Sequence, residues 1–266
     1  MASSRSAVYV YCLVAAARRP SRAGLPAGLP GASRPELTAV ADGLFLVTSD
    51  VPLSVYGPDQ LGRRLRSLEW VADVAVAHEA LVEHFARPRR ATVVPMKMFT
   101  MFSTIEKAAD DIRRRRRTID RAVRRVAGCE EWGMRIMRAA TDAPASRSRV
   151  QHRQPAGGSG TSFLAARKDA RDQARASRLR SESAAAAALI GLQRLARDVR
   201  RRDGTADPGT NPPLVEAAFL IASRARRRFK AAARRHAAAC AAGGASLVLT
   251  GPWPAYNFVG QTEEDA

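Results

Sequence analysis

Two periodicities alternate along this chain, and together they constrain its fold more than any other feature. Short runs rich in β-branched and aromatic residues occupy 7–14, 44–48, 91–98, 130–137 and 246–250. Between most of them, apolar residues return every three or four positions, as one face of an α-helix requires. Strands interleaved with helices predict an α/β or α+β protein, each helix burying a stripe against a sheet. At 266 residues the chain is long enough for one large domain or two ordinary ones, and its 46% apolar content is incompatible with wholesale disorder.

Punctuation marks the boundaries. The Pro-, Gly- and Arg-rich stretch 18–35 reads as a loop, and Asp42-Gly43 before 44–48 signals a hairpin-like second strand. The spacing predicts a helix over 59–85, with Leu61, Leu65, Leu68, Ala72, Ala75 and Val82 as its apolar stripe, ended by Pro88. Ser103-Thr104-Ile105-Glu106 carries a capping-box pattern, and Ile105, Ile112, Ile119 and Val126 follow at heptad spacing up to Gly128. Arg113 to Arg117 fall inside that helix, where Asp110, Asp111 and Asp120 stand three or four residues away to pair with them. Arg116 is expected near the apolar side. The segment 141–160 reads as a mobile Ser/Gly/Arg connector, 162–202 as a long helix, 203–213 as a loop and 214–241 as another helix stopped by Gly243-Gly244. The strand at 130 is expected to pair with that at 246, which sets domains of 1–127 and 128–260 with an acidic tail at 261–266.

The segment 7–17 is short, apolar and Ala-ended, like the core of a signal peptide, but Val8-Tyr9-Val10-Tyr11 favours a first strand. No run is long and apolar enough for a transmembrane helix. Three widely spaced cysteines, Cys12, Cys129 and Cys240, imply no disulfide framework and suit a reducing cytosol. Net charge is +19, with 44 basic residues of which four are lysines. Such a field attracts nucleic acid or an acidic partner, although arginine- and alanine-rich codon usage is the simpler account.

Candidate chemistry is sparse. His78 and His84 in HEALVEH are six residues apart and about 120° around a helix axis, so they do not share a metal easily. His78 reads as a satisfied, partly buried histidine and His84 as solvent-facing. His236 and Cys240 have i, i+4 spacing, but no second pair completes a zinc site, and core packing is the preferred reading. Gly157-Gly158-Ser159-Gly160 lacks the Lys-Ser/Thr of a P-loop, and no G-x-S-x-G elbow or acid–base dyad stands out. The basic segments 113–117, 194–202 and 224–235 have few aromatics for base stacking. No catalytic, cofactor-binding or metal-ligating residue is assigned, and no cofactor is expected.

Several segments, in order, resemble the gas vesicle protein F/L family (GvpF/GvpL). These are VYVYCLV from Val8, LFLVTSDVPLSVY at 44–56, LEWVADVAVAHEALVEHF from Leu68 with His78-Glu79, and TVVPMKMFTMFST at 92–104. EEWGMRIM at 130–137, the start of the long helix at 160–168, AAFLIA at 217–222 (similar to the family's C-terminal helix) and LVLTGPWPAYNFV at 247–259 complete the set. Some family members carry an Arg-Phe-Gly-Thr phrase where this chain has Lys97-Met98-Phe99-Thr100. The resemblance implies two domains, an N-terminal mixed sheet with helices and a C-terminal ferredoxin-like variant with long helices. It implies a non-enzymatic assembly or structural accessory protein, in the cytoplasm and on the gas vesicle. Its partners would be the hydrophobic main shell protein and other gas vesicle accessory proteins, with no small-molecule substrate and no membrane. The alternative, drawn from charge, is a basic nucleic-acid-binding protein; an enzyme ranks third.

Overall fold

A computed structural model describes residues 6–87, 91–139, 160–202 and 212–259. They form two compact units: one comprises 1–131 and 252–266, the other Trp132–Gly251. The sequence expectation of 1–127 and 128–260 differs from this division chiefly at the C-terminus, where 252–259 group with the first unit.

In the first unit, β1 (Ser6–Ala16) is the central strand. It pairs antiparallel with β3 (Leu44–Pro52), β4 (Ala91–Pro95) and the short β5 (Met101–Phe102), while β2 (Glu36–Ala41) extends the sheet beyond β3. Gly43, at φ 67°, makes the β2–β3 turn in a conformation that glycine adopts without a Cβ penalty. The run from Ala7 to Val14 is apolar throughout because both faces of β1 are covered. Tyr9, Tyr11, Cys12 and Val14 pack into one core with Val74, Leu81, Val82 and Phe85. Val10 and Leu13 pack into another with Ala108, Ile112 and Ile119. A bulge between Val10 and Cys12 puts Tyr11 and Cys12 on the same side.

The helix expected over 59–85 is divided. A single turn, α1 (Leu53–Tyr56), leads through Gly57 into α2 (Pro58–Arg64). The chain then breaks at Leu65–Ser67 before α3 (Leu68–Ala86), whose N-cap Ser67 accepts from the Trp70 amide. The buried face of α3 is Val74, His78, Leu81, Val82 and Phe85, turned about a quarter of the way round the helix from the expected stripe. Of the stripe expected from spacing only Val82 is buried; Leu65, Leu68 and Ala72 are exposed.

The next helix is also split, into α4 (Ile105–Arg114) and α5 (Arg116–Val126), by Arg115. Thr104, rather than Ser103, caps α4 by accepting from the Lys107 amide. The arginine run is ion-paired as its spacing predicts: Arg113 to Asp110 at 3.0 Å, Arg114 and Arg115 to Asp111, Arg116 to Asp120 at 2.9 Å. Arg116 is half-buried, in line with its predicted position.

The second unit runs β6 (Cys129–Arg138), α6 (Gly160–Gln193), β7 (Asp198–Arg202), β8 (Val215–Ala222), α7 (Arg226–Ala242) and β9 (Ala245–Trp253). The sheet order is β7-β8-β6-β9, so β6 does neighbour β9. This βαββαβ order with the first and third strands central is the ferredoxin-like arrangement. One core joins Trp132, Met134 and Ile136 of β6, Phe219 and Ile221 of β8, Leu189 and Leu192 of α6, and Phe229 and Cys240 of α7. Two expectations are corrected. Residues 198–202 end the predicted long helix as a strand, and 215–222, read as the start of a helix, form a buried strand. A 3-10 turn at Ser223–Ala225 separates β8 from α7. The connector 141–159 and the loop 203–211 lie outside the described residues.

Candidate functional surface and the buried network beneath it

Helix α3 has two apolar sides with different fates. Its inner side lies in the core. On its outer side Leu68, Ala72 and Val76 succeed one another at i, i+4 and i+8, and Leu68 is 84% and Val76 70% exposed. Leu65, in the break before α3, is exposed as well. Aligned exposed aliphatics on a helix form the kind of row that anchors a partner's apolar face. Leu68 and Ala72 stood in the stripe expected from spacing, read there as core, whereas Val76 did not; periodicity cannot distinguish a stripe that packs inward from one that waits for a partner.

A buried polar network fixes the inner side of α3. The Tyr9 hydroxyl lies 2.8 Å from His78 Nδ1 and accepts from the Phe99 amide at 3.2 Å. In the Nε2–H tautomer of His78 the phenolic proton is donated to Nδ1. Burial pushes the His78 pKa down to about 4, with the Met96 backbone opposing. Nε2 is buried without a well-formed hydrogen bond. Burial likewise raises the Tyr9 phenol, with a smaller opposing effect from the Phe99 amide.

The adjacent Glu79 accepts from the Tyr256 hydroxyl at 2.5 Å through Oε2, while its Oε1 is buried without a partner. Burial raises the Glu79 carboxyl, opposed by the Tyr256 bond and reinforced by Glu83 and Glu131. Tyr256 opens α8 (Tyr256–Val259), a single turn that the network ties to the first unit. The Asn257 amide donates to Glu131 Oε2 at 2.9 Å, and the Asn257 side chain donates to Glu131 Oε1. Phe258 is buried, with the Arg125 guanidinium 5.9 Å from its ring centroid. Neither Tyr9 nor Tyr256 was identified as a partner for His78-Glu79 from sequence, since nothing local signals pairing across 69 or 177 positions.

The remaining candidates separate. His84 is half-buried against the Phe85 ring at 5.1 Å rather than solvent-facing. His236 covers Gly191, where an added Cβ would stand 2.2 Å from its Nε2. The Cys240 thiol is buried and points to the Ala184 carbonyl at 3.8 Å. Among the described residues no group of three or more His, Cys, Asp or Glu is arranged to hold a metal ion. Gly157–Ser159 lie outside the described residues. The side of the second sheet away from α6 and α7 carries Gly133, Arg135 and Met137 from β6 and Glu216 with the buried Ala218 and Leu220 from β8, by alternation with the core positions. None of these is aromatic, and Arg135 and Arg202 are both ion-paired to Glu216. A four-stranded sheet that stacks bases needs aromatics at such positions. Among the described residues no helix is long and apolar enough to cross a membrane.

Comparison with known proteins agrees with this architecture along the whole chain. The model of the family described as "Gas vesicle synthesis protein GvpL/GvpF" matches residues 7–260. A gas vesicle protein L from Streptomyces sp. (strain CB03234) is 30% identical over 274 residues, covering 97% of this chain and 94% of the relative. The crystal structure of the gas vesicle protein GvpF from Anabaena sp. PCC7120 superposes with a TM-score of 0.64 at 16% identity, covering 97% of both chains. That of GvpF from Microcystis aeruginosa gives 0.60 at 14% identity, covering 96% of this chain and 99% of the other. At such identities these two structures speak to the fold.

Proposed function

The chain belongs to the gas vesicle synthesis protein GvpL/GvpF family, and from that premise we propose that it assists gas vesicle formation by binding the hydrophobic main shell protein. A shell subunit with an apolar gas-facing surface aggregates when free, and a soluble protein that covers this surface keeps it available for assembly. The single observation that carries the reading is the exposed row Leu68, Ala72 and Val76 on α3. It offers aliphatic anchors at helical spacing on a helix whose other side is held by the core and the Tyr9–His78 bond. In this reading the protein acts in the cytoplasm and at the growing vesicle, contacts other gas vesicle proteins there, and makes or breaks no covalent bond.

Co-expression with the main shell protein tests it. The wild-type chain should co-purify with the shell protein. The double variant Leu68→Asp, Val76→Asp should lose it while keeping an unchanged circular-dichroism spectrum, because both side chains are exposed. Retention of the shell protein by the double variant would exclude α3 as the surface, and its absence from the wild-type preparation would exclude the function.

A further inference from the structure

Helix α6 is buried for less than half its length. From Ser181 onward it packs normally, with Ser181, Ala185, Ala188, Leu189 and Leu192 buried at helical spacing. From Leu164 to Arg180 every residue is exposed except Ser177, which is half-buried. That stretch covers about 25 Å of helix axis at 1.5 Å per residue. A helix that is polar all round bridges to something, is stabilised by its own ion pairs, or is not stable by itself.

Its own ion pairs do not explain it. Placed on a helical wheel of 100° per residue, Leu164, Arg167, Lys168, Arg171, Arg175, Arg178 and Leu179 all fall within an arc of about 120°. No carboxylate lies in that arc between Leu164 and Leu179; Asp169 and Asp172 fall outside it. Arg167, Arg171 and Arg175 are successive i, i+4 neighbours, an arrangement of like charges that works against the isolated helix. Among the described residues none of these cations makes a salt bridge. Leu164 and Leu179, 64% and 57% exposed, close the two ends of the row.

We propose that this face of α6 is a docking surface for an acidic amphipathic helix of a protein partner, its carboxylates spaced one turn apart to meet the arginines and its apolar residues to meet Leu164 and Leu179. Charge complementarity selects the occupant. A second copy of the chain would set arginine against arginine. A duplex groove would surround the helix and bring Asp169 and Asp172 toward phosphates, and it would leave the two leucines without apolar contact. Side-by-side helix packing touches one face only, and both leucines lie on it. The inference is separate from shell-protein binding, which was assigned to α3.

The full-length chain should be titrated with a synthetic helical peptide bearing glutamates at i, i+4 and i+7 along one face and a leucine at each end of that face. Duplex DNA and vesicles containing anionic lipid form the comparison arms. The peptide is expected to bind most tightly, and more weakly as salt is raised. The variant Arg171→Glu, Arg175→Glu should weaken it by roughly tenfold or more, since attractive contacts become repulsive. Arg113→Glu, Arg114→Glu on α4 should leave it unchanged. Should charge reversal perturb α6 itself, Arg171→Gln, Arg175→Gln removes the charges while keeping good helix formers. Tighter binding of DNA or vesicles, failure of the peptide to bind, or binding insensitive to both α6 variants would overturn the proposal.

Discussion

At the residue scale, the Tyr9–His78 pair makes the most specific demands. The sequence reading of His78 was a satisfied, partly buried histidine beside an apolar stripe; it is fully buried, with Nδ1 bonded and Nε2 not. Its partner was not legible, because Tyr9 reaches it only once β1 and α3 are packed. Replacing Tyr9 by Phe leaves the buried His78 Nδ1 and the half-buried Phe99 amide without the hydroxyl, so a loss of about 1–3 kcal/mol is expected from the shift in urea midpoint. The pH dependence has a definite sign. The folded-state pKa of about 4 lies below the 6.5 of a free imidazole. Above pH 6.5 both states are neutral and the site has no effect. As pH falls from 6.5 toward 4, the unfolded chain takes up a proton that the folded chain refuses, and stability drops by up to about 3 kcal/mol. Glu79 acts in the opposite sense: its raised pKa contributes stability at low pH that is lost as pH rises through the folded value. Urea midpoints at pH 7 and pH 4.5 for wild type and His78→Gln separate the two, because only the histidine's acid-side loss disappears in the variant. Phe99 is the other marked residue. It is the non-glycine with positive φ among the described residues, at 64°, and it occupies the glycine of the Arg-Phe-Gly-Thr phrase found in some family members. Its ring stacks on Trp70 at 6.0 Å and 15°, a contact that offsets a strained backbone. Phe99→Gly and Phe99→Ala both lose the ring, but only glycine relieves the conformation. Thermal or urea unfolding should therefore find the glycine variant more stable than the alanine variant by about 1 kcal/mol.

At the element scale, sequence periodicity located most of the helices and strands but failed where two readings share one pattern. The segment 215–222, VEAAFLIA, is apolar on both sides because consecutive residues Ala217 to Ile221 are all buried, and a short, continuous apolar run is ambiguous between buried strand and helix. Residues 198–202 contain Arg200, Arg201 and Arg202, poor strand formers that become a strand by pairing with Leu220 to Glu216 of β8. The breaks at Leu65–Ser67 and Arg115 were also hidden, since the apolar spacing continues across both. The exposure of Leu68 has another origin: it lies in α3 itself, and spacing does not reveal which of that helix's two apolar sides meets the core. Gly57 shows how tightly this region is set. It is not there for an unusual φ; an added Cβ would stand 2.4 Å from the Leu53 carbonyl oxygen, a main-chain atom that accepts from the Gly57 amide. Gly57→Ala must displace α1 from α2 and should cost about 1–3 kcal/mol by urea unfolding. Gly62→Ala, which meets nothing within 4 Å and lies inside α2, should stabilise instead.

At the scale of the whole molecule, the chain leaves its first unit between Glu131 and Trp132 and returns between Gly251 and Pro252. The return was not legible from pattern: the expected second domain ran unbroken over 128–260, and nothing local at Gly251-Pro252-Trp253-Pro254 signals a return to the first unit. What brings Tyr256, Asn257 and Phe258 back is chemistry spread over α3, α5 and the first residues of β6: Glu79 for Tyr256, Glu131 for Asn257 and the Arg125 side chain over Phe258. Tyr256 packs against the core that includes Tyr9 and Tyr11, and Val259 against the one that includes Val10 and Leu13, so this short segment touches the material on both faces of β1. Deleting 252–266 should therefore destabilise the first unit while sparing the second. Tryptophan positions make the two separable. Trp70 belongs to the first unit and Trp132 to the second, and Trp253 leaves with the deleted segment. A truncated Trp70→Phe protein reports the second unit through Trp132, and a truncated Trp132→Phe protein reports the first through Trp70. Loss of a buried phenylalanine alone is worth about 3–5 kcal/mol, so the Trp70 transition should move to clearly lower urea than in full-length Trp132→Phe. The Trp132 transition should stay with that of full-length Trp70→Phe. Equal shifts in both reporters would mean that the units unfold as one and that the closing segment stabilises the entire chain.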